Sequence, residues 1–203
     1  MAMTDLSSKT QKQLQQYRDQ IDAIDDKLEE LFKERIDIVS QVGVLKRSES
    51  ALKSFIRSGR EADMLRDMSE RFKGSKFHPL AIAAIWRQII SGSINHEQPL
   101  RLAVVSHQRD LYWLAREYFG HFVSIELVAD SHMALDLLKN NEANIAILPY
   151  PTDAPKPWWL DLMDKSIKSH PTIFAALPYF GAHNPKALAA AYIVPEKTAD
   201  DIT

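Results

Sequence analysis

Nine apolar residues near the N-terminus constrain this chain more than anything else in it. Leu14, Tyr17, Ile21, Ile24, Leu28, Leu31, Ile38, Val42 and Leu45 fall alternately three and four residues apart. That period of 3.5 marks the seam of a helix packed in coiled-coil fashion. The seam skips one position, which is Arg35. The pattern predicts a helix from Gln11 to Arg47, about 55 Å long at 1.5 Å per residue. A domain of about 100 residues is only some 30–35 Å across, so one copy cannot cover such a helix. The simplest remedy is a second copy, and the expectation is an intertwined homodimer.

Two further helices follow. After a connector at 48–58, Gly59 to Lys73 carries Ala62, Leu65, Met68 and Phe72 at helical spacing and stops at Gly74. The third opens near Pro79, a residue tolerated in a first turn. Its stripe of Ile82, Ile85, Trp86, Ile89 and Ile90 continues into the polar Ser93 and Glu97. The grammar then changes. Pro79 is the only proline in residues 1–98, and the other nine lie beyond. We therefore divide the chain into an all-helical domain, 1–98, and a second domain, 99–203. In the second, LRLAVVS (100–106), VSIELVA (123–129), ANIAILPY (143–150), TIFAALPY (172–179) and AAAYIVP (189–195) read as strands. Asp110–Phe119 and His132–Asn140 read as helices between the first three. That order predicts a small α/β domain with a mostly parallel sheet.

Composition removes several function classes. With 25 Lys and Arg against 27 Asp and Glu, the net charge of −2 gives no footprint for nucleic acid or an anionic membrane. The absence of cysteine excludes disulfides, thiolate catalysis and Cys-ligated metals. The longest apolar run, Leu80 to Ile94, is broken by Arg87 and is too short for a membrane span. The N-terminus lacks the apolar core of a signal peptide. The expectation is a soluble, cytoplasmic protein.

The polar residues on apolar faces are the candidates for chemistry. Arg35 on the seam is explained either by snorkelling, its head group wet, or by a ligand that offsets a cost of several kcal/mol. Lys46 lies eleven residues on, about 20° off the same face and about 16 Å along the axis. Gly43 between them suggests a shallow, glycine-relieved groove for a small dianion. Arg18 points to another side of this helix, so it would more easily serve a partner chain's site. Arg60–Glu61 is either a surface charge pair or a second cation with a carboxylate. Glu97 either lines the same pocket or marks a frayed helix end. No Ser-His-Asp or paired-carboxylate pattern is evident, the seven histidines lack metal-ligand spacing, and no phosphate-binding glycine loop occurs.

Residues 11–98 resemble the all-helical class of chorismate mutases. The resemblance rests on LQQYRDQIDAIDDKLEELFKERIDIVSQVGVLKR (14–47), IRSGREADMLRDM (56–68) and WRQIISGSINHEQ (86–98). It implies a homodimer of interlocked three-helix chains that converts chorismate to prephenate by a Claisen rearrangement, without cofactor or metal. By the same resemblance, Arg35 binds one substrate carboxylate and Arg18, supplied by the neighbouring subunit, the other. Lys46 donates to the ether oxygen of the breaking bond, and Glu97 contacts that oxygen as well. Arg60 lines the pocket, Glu61 holds the substrate hydroxyl and Ser93 lies close to the substrate. One departure stands out: Arg57 occupies a position where many relatives have Asp, beside a slightly longer 48–58 loop.

That chemistry asks little of a protein in acid, base or nucleophile. The reactant must be held in its compact chair-like conformer, and charge separating across the C–O bond must be met by preorganised donors. Glu97 can assist the ether oxygen only as a protonated donor. The second half has a weaker resemblance, to the first lobe of prephenate dehydratases, through RLAVVS, LAREYF (114–119) and LLKNNEANIAILPYP (137–151). No Thr-Arg-Phe motif accompanies it, so the reading is a partial, non-catalytic domain, with Trp158 and Trp159 as loop-to-core anchors. Three alternatives remain: a bifunctional mutase–dehydratase, a non-catalytic dimeric protein that binds or regulates in the same pathway, and a pyruvate lyase acting on isochorismate, as relatives of the mutase fold do.

Overall fold

The structure, a computed structural model, describes residues 8–48, 55–151, 157–163, 169–180 and 184–194. Helix α1 (Ser8–Ser48) carries the 3.5-residue seam through 41 residues. Every residue from Ser8 to Glu34 is exposed, and Gly43 is the helix's only buried residue. All nine seam residues are between 39% and 61% exposed. Among the described residues, only the C-terminal third of α1 meets the rest of the chain. Residues 49–54 and 195–203, into which the connector and last strand are expected to extend, lie outside the described residues.

Helix α2 (Ser58–Arg71) and helix α3 (Pro79–Glu97) pack against each other. The turn between them passes through Gly74 at φ +77°, left-handed backbone that glycine adopts without strain. α3 opens with Pro79 in its first turn, and the His78 ring accepts a hydrogen bond from the Leu80 amide at 3.2 Å. Its C-terminus leads within three residues into strand β1 (Arg101–Val105).

The second half continues with α4 (Arg109–Phe119), β2 (Ser124–Val128), α5 (Ser131–Lys139) and β3 (Ile145–Pro149). A 3-10 turn (Trp158–Met163), β4 (Thr172–Leu177) and β5 (Ala187–Ala191) complete it. The strand order is β2-β1-β3-β5-β4. β1 lies parallel to both β2 and β3, as expected for strands joined through helices. The sheet is nevertheless mixed, not mostly parallel: β5 runs antiparallel to β3 and to β4. The short stretch 178–186 that joins β4 to β5 cannot form a helical crossover, so the chain turns back on itself. β5 also lies earlier than the expected strand at 189–195 and is buried throughout. Its alanines let β3 and β4 close on it from both sides.

Trp158 is buried in the core and meets Trp159 edge-on at 5.9 Å; the segment 152–156 that the pair is expected to anchor lies outside the described residues. One hydrophobic cluster extends across Pro99: Ile56, Leu65, Ile90 and Ile94 of the helical half join Leu102, Leu111, Phe119 and Ile147 of the other. α3 lies on α4, where the Ser91 hydroxyl donates to the Phe119 carbonyl at 2.6 Å and Gln88 Nε2 to the Glu117 carbonyl at 2.6 Å. No helix among the described residues is long and apolar enough to cross a membrane.

Candidate active site

Three helices converge on a cavity of about 350 Å³. α1 contributes Arg35 and Lys46, the start of α2 contributes Arg57, Arg60 and Glu61, and α3 contributes Ser93 and Glu97. Val39, Val42, Met64, Ile90 and Ile94 form its apolar walls. Six of the seven residues singled out in the sequence thus face one space. The seventh, Arg18, is exposed on α1, 17 residues and about 25 Å along the axis from Arg35. It reaches no part of this cavity within the chain.

Polar contacts between α1 and α3 fix the cavity's floor. Arg35 Nη1 donates to the Ser93 hydroxyl, which donates in turn to the Ile89 carbonyl at 2.8 Å. Arg35 is therefore neither snorkelling nor wholly enclosed, and partial burial lowers its pKa from the usual value. A guanidinium remains charged at neutral pH even so. One turn further along α3, Lys46 Nζ meets Glu97 Oε2 at 2.7 Å, both side chains nearly buried. Glu97 is thus held, not frayed, and Arg47 Nη1 also reaches its carbonyl at 3.2 Å. Ser40 and His96 add a 2.8 Å contact along the same seam.

Gly43 has a different task from the one its position suggested. It does not line the cavity but is buried where α1 and α3 meet. A Cβ there would stand 3.4 Å from Glu97 Cγ and 3.4 Å from Arg47 Nη1. A methyl group would therefore still fit in van der Waals contact, and glycine adds slack to this helix contact rather than being demanded by it.

Glu61 is no surface charge. Its Oε1 accepts from the Arg57 amide at 3.1 Å, and its Oε2 accepts from Arg87 Nη1 at 2.6 Å in a pair sealed from solvent. Arg87 went unnoticed in the sequence as anything more than a break in an apolar run. That break was the available signal; Arg87 falls outside the stripe read from the sequence, and the face that α3 buries runs instead through Ala83, Arg87, Ile90 and Ile94. Arg87 also donates to the Tyr118 hydroxyl at 3.3 Å and lies over that ring at 4.4 Å. Burial works to lower the Arg87 pKa, but the charge interactions with Tyr118 and Glu61 outweigh it and hold the cation above its usual range. Burial pushes the Tyr118 hydroxyl well above the ordinary phenol range, against the opposing pull of Arg87.

Four cations thus surround an apolar-walled space, with one carboxylate tied to Lys46 and another to Arg87. The cavity contains no nucleophile–base pair; its donors are set to hold anionic groups and to stabilise negative charge. Residues 17–98, the segment that builds it, match the family model for chorismate mutase type II. The helical half is a chorismate mutase domain. It makes the chain an isomerase by class, acting on chorismate. The match ends just before the α/β half of the chain begins. No curated protein and no solved structure matches the chain.

Proposed function

We propose that this mutase works as a homodimer paired along α1, each copy supplying Arg18 to the other's cavity, and that it turns chorismate into prephenate for phenylalanine and tyrosine synthesis in the cytoplasm. The observation that carries the reading is the convergence of Arg35, Lys46, Arg60, Glu61, Ser93 and Glu97 on one cavity while Arg18 stays outside it, on the exposed stretch of α1. A substrate with two carboxylates needs a cation at each. Arg35 takes one, and a second α1 lying antiparallel would bring its Arg18 to the other. Lys46, held by Glu97, is aimed at the ether oxygen, where negative charge builds as the C–O bond lengthens. Such a donor, fixed before the reaction begins, lowers the barrier by several kcal/mol. The apolar walls select the compact conformer, which supplies the orientation part of the acceleration. Glu61 accepts the substrate hydroxyl with the lone pairs that Arg57 and Arg87 leave open.

Arg57 supports the reading in modified form: its amide anchors Glu61, and its side chain adds a cation where relatives of the resembling class have a carboxylate. For the α/β half we infer a dehydratase-like lobe without dehydratase chemistry. The helices between its first three strands support that, and α3's bonds to α4 support a role in bracing the mutase. The test is direct. Purified protein incubated with chorismate should yield prephenate and no phenylpyruvate, and Arg35→Ala should lower kcat/KM about ten- to a hundredfold while leaving the fold intact. A folded dimer that leaves chorismate untouched would overturn the catalytic reading in favour of a binding role.

A further inference from the structure

Arg87 is the largest side chain sealed inside the described residues, 1% exposed, and the rearrangement itself makes no use of it. We propose that Arg87 is a positioning residue that sets Glu61 for the substrate hydroxyl, and that through Tyr118 it makes the α/β half part of the mutase site. This rests on the mutase reading above.

A buried guanidinium is costly, and replacing a buried ion pair by apolar groups is often neutral or stabilising, so stability alone does not account for this one. Two of its nitrogens, Nε and Nη2, are buried without a hydrogen-bond partner among the described residues, which adds to the cost. What the pair does supply is direction. Glu61 is pinned at one oxygen by the Arg57 amide and at the other by Arg87, and it faces the cavity. Each oxygen keeps a further lone pair, so the carboxylate presents a fixed acceptor to a hydroxyl. Arg87 Nη1 is in turn shared with the Tyr118 hydroxyl, and the guanidinium stacks on the Tyr118 ring. Tyr118 belongs to α4 and is wedged between Phe119 and Tyr179, whose rings lie 4.7 and 5.3 Å from its own. A line of contacts therefore runs from the cavity through Glu61 and Arg87 into the second half.

The hydroxyl contact is the same in ground and transition states, so weakening it raises KM and leaves kcat nearly alone. Arg87→Met should raise the KM for chorismate about ten- to a hundredfold, the worth of one hydrogen bond to a charged group. A merely structural role would lower the active fraction, and hence apparent kcat, at constant KM. Tyr118→Phe keeps the ring and its packing, and should raise KM about two- to fivefold, because the lost bond from the Arg87 cation is long at 3.3 Å and bears on the substrate only through Glu61. It decides the matter if Arg87→Met does not fold. Because Arg87 acts through Glu61, adding Arg87→Met to Glu61→Gln should leave KM where Glu61→Gln puts it. Unchanged KM in an active Tyr118→Phe enzyme, or additive effects in the double variant, would overturn this proposal alone. Absence of prephenate from the wild type would overturn the mutase reading and this proposal together.

Discussion

Two inactive chains should make one active enzyme. Arg18 and Arg35 lie about 25 Å apart on a straight helix, several times the reach of an arginine side chain. If both bind one substrate molecule, they come from different copies. Each makes an ionic hydrogen bond to a carboxylate, worth about 1.5–3 kcal/mol. At ~1.4 kcal/mol per tenfold, Arg18→Ala and Arg35→Ala should each lose about ten- to a hundredfold in kcat/KM. Unfolding the two variants together in equal amounts and refolding them makes about half the dimers hybrid, in the symmetric pairing proposed. In a hybrid, the site on the Arg18→Ala chain has its own Arg35 and its partner's Arg18, and is whole. The other site lacks both. One whole site in two, in half the dimers, restores about a quarter of wild-type turnover at low chorismate. Prephenate release is followed by absorbance, with each variant refolded alone as the baseline and sedimentation confirming dimers. A mixture no more active than the mean of its parents would refute the reasoning, because Arg18 would then act within its own chain or not at all.

Three further outcomes follow from the same geometry. Ile24→Glu places a charge on the exposed seam, far from the cavity; sedimentation should show monomers, and turnover should disappear with the pairing. Glu97→Gln preserves acceptance from Lys46 and adds an amide donor for the ether oxygen. Its turnover at pH 8 should at least equal the wild type's, whereas a loss of tenfold or more (about 1.4 kcal/mol) would show that the carboxylate itself is required. Ser91→Ala removes the buried 2.6 Å bond between α3 and α4, at about 1 kcal/mol. Calorimetry should show a lower Tm, while KM stays unchanged, since Ser91 touches neither Glu61 nor the cavity.

Where the sequence was legible, one periodicity dominated its surroundings. The α1 seam predicts its helix to within a few residues, and the alternation of strand-like and helical runs locates β1 through β3 and both intervening helices. Legibility ended where outcomes depend on elements far apart in sequence. The antiparallel placement of β5 follows from a short return and from which strand it meets, neither of which has a local signature. Arg35, Lys46 and Glu97 could be gathered by counting turns along helices. Gly43 could not be assigned to the α1–α3 contact, because spacing gives a residue's face but not what rests on it. Arg87 was hidden for the opposite reason: its partners, Glu61 and Tyr118, lie 26 and 31 residues away on two other helices.

The bare length of α1 has a consequence outside the cavity. From Ser8 to Glu34 no other described residue of the chain buries the helix, and helices gain most of their stability from tertiary packing. If two copies pair along it as proposed, folding and association become one event, and Tm depends on how much protein is present. Dilution alone should melt the helix and silence the enzyme, so the specific activity of a stock would fall as it is thinned and return as it is concentrated. For a chain built this way, abundance is itself a control on flux.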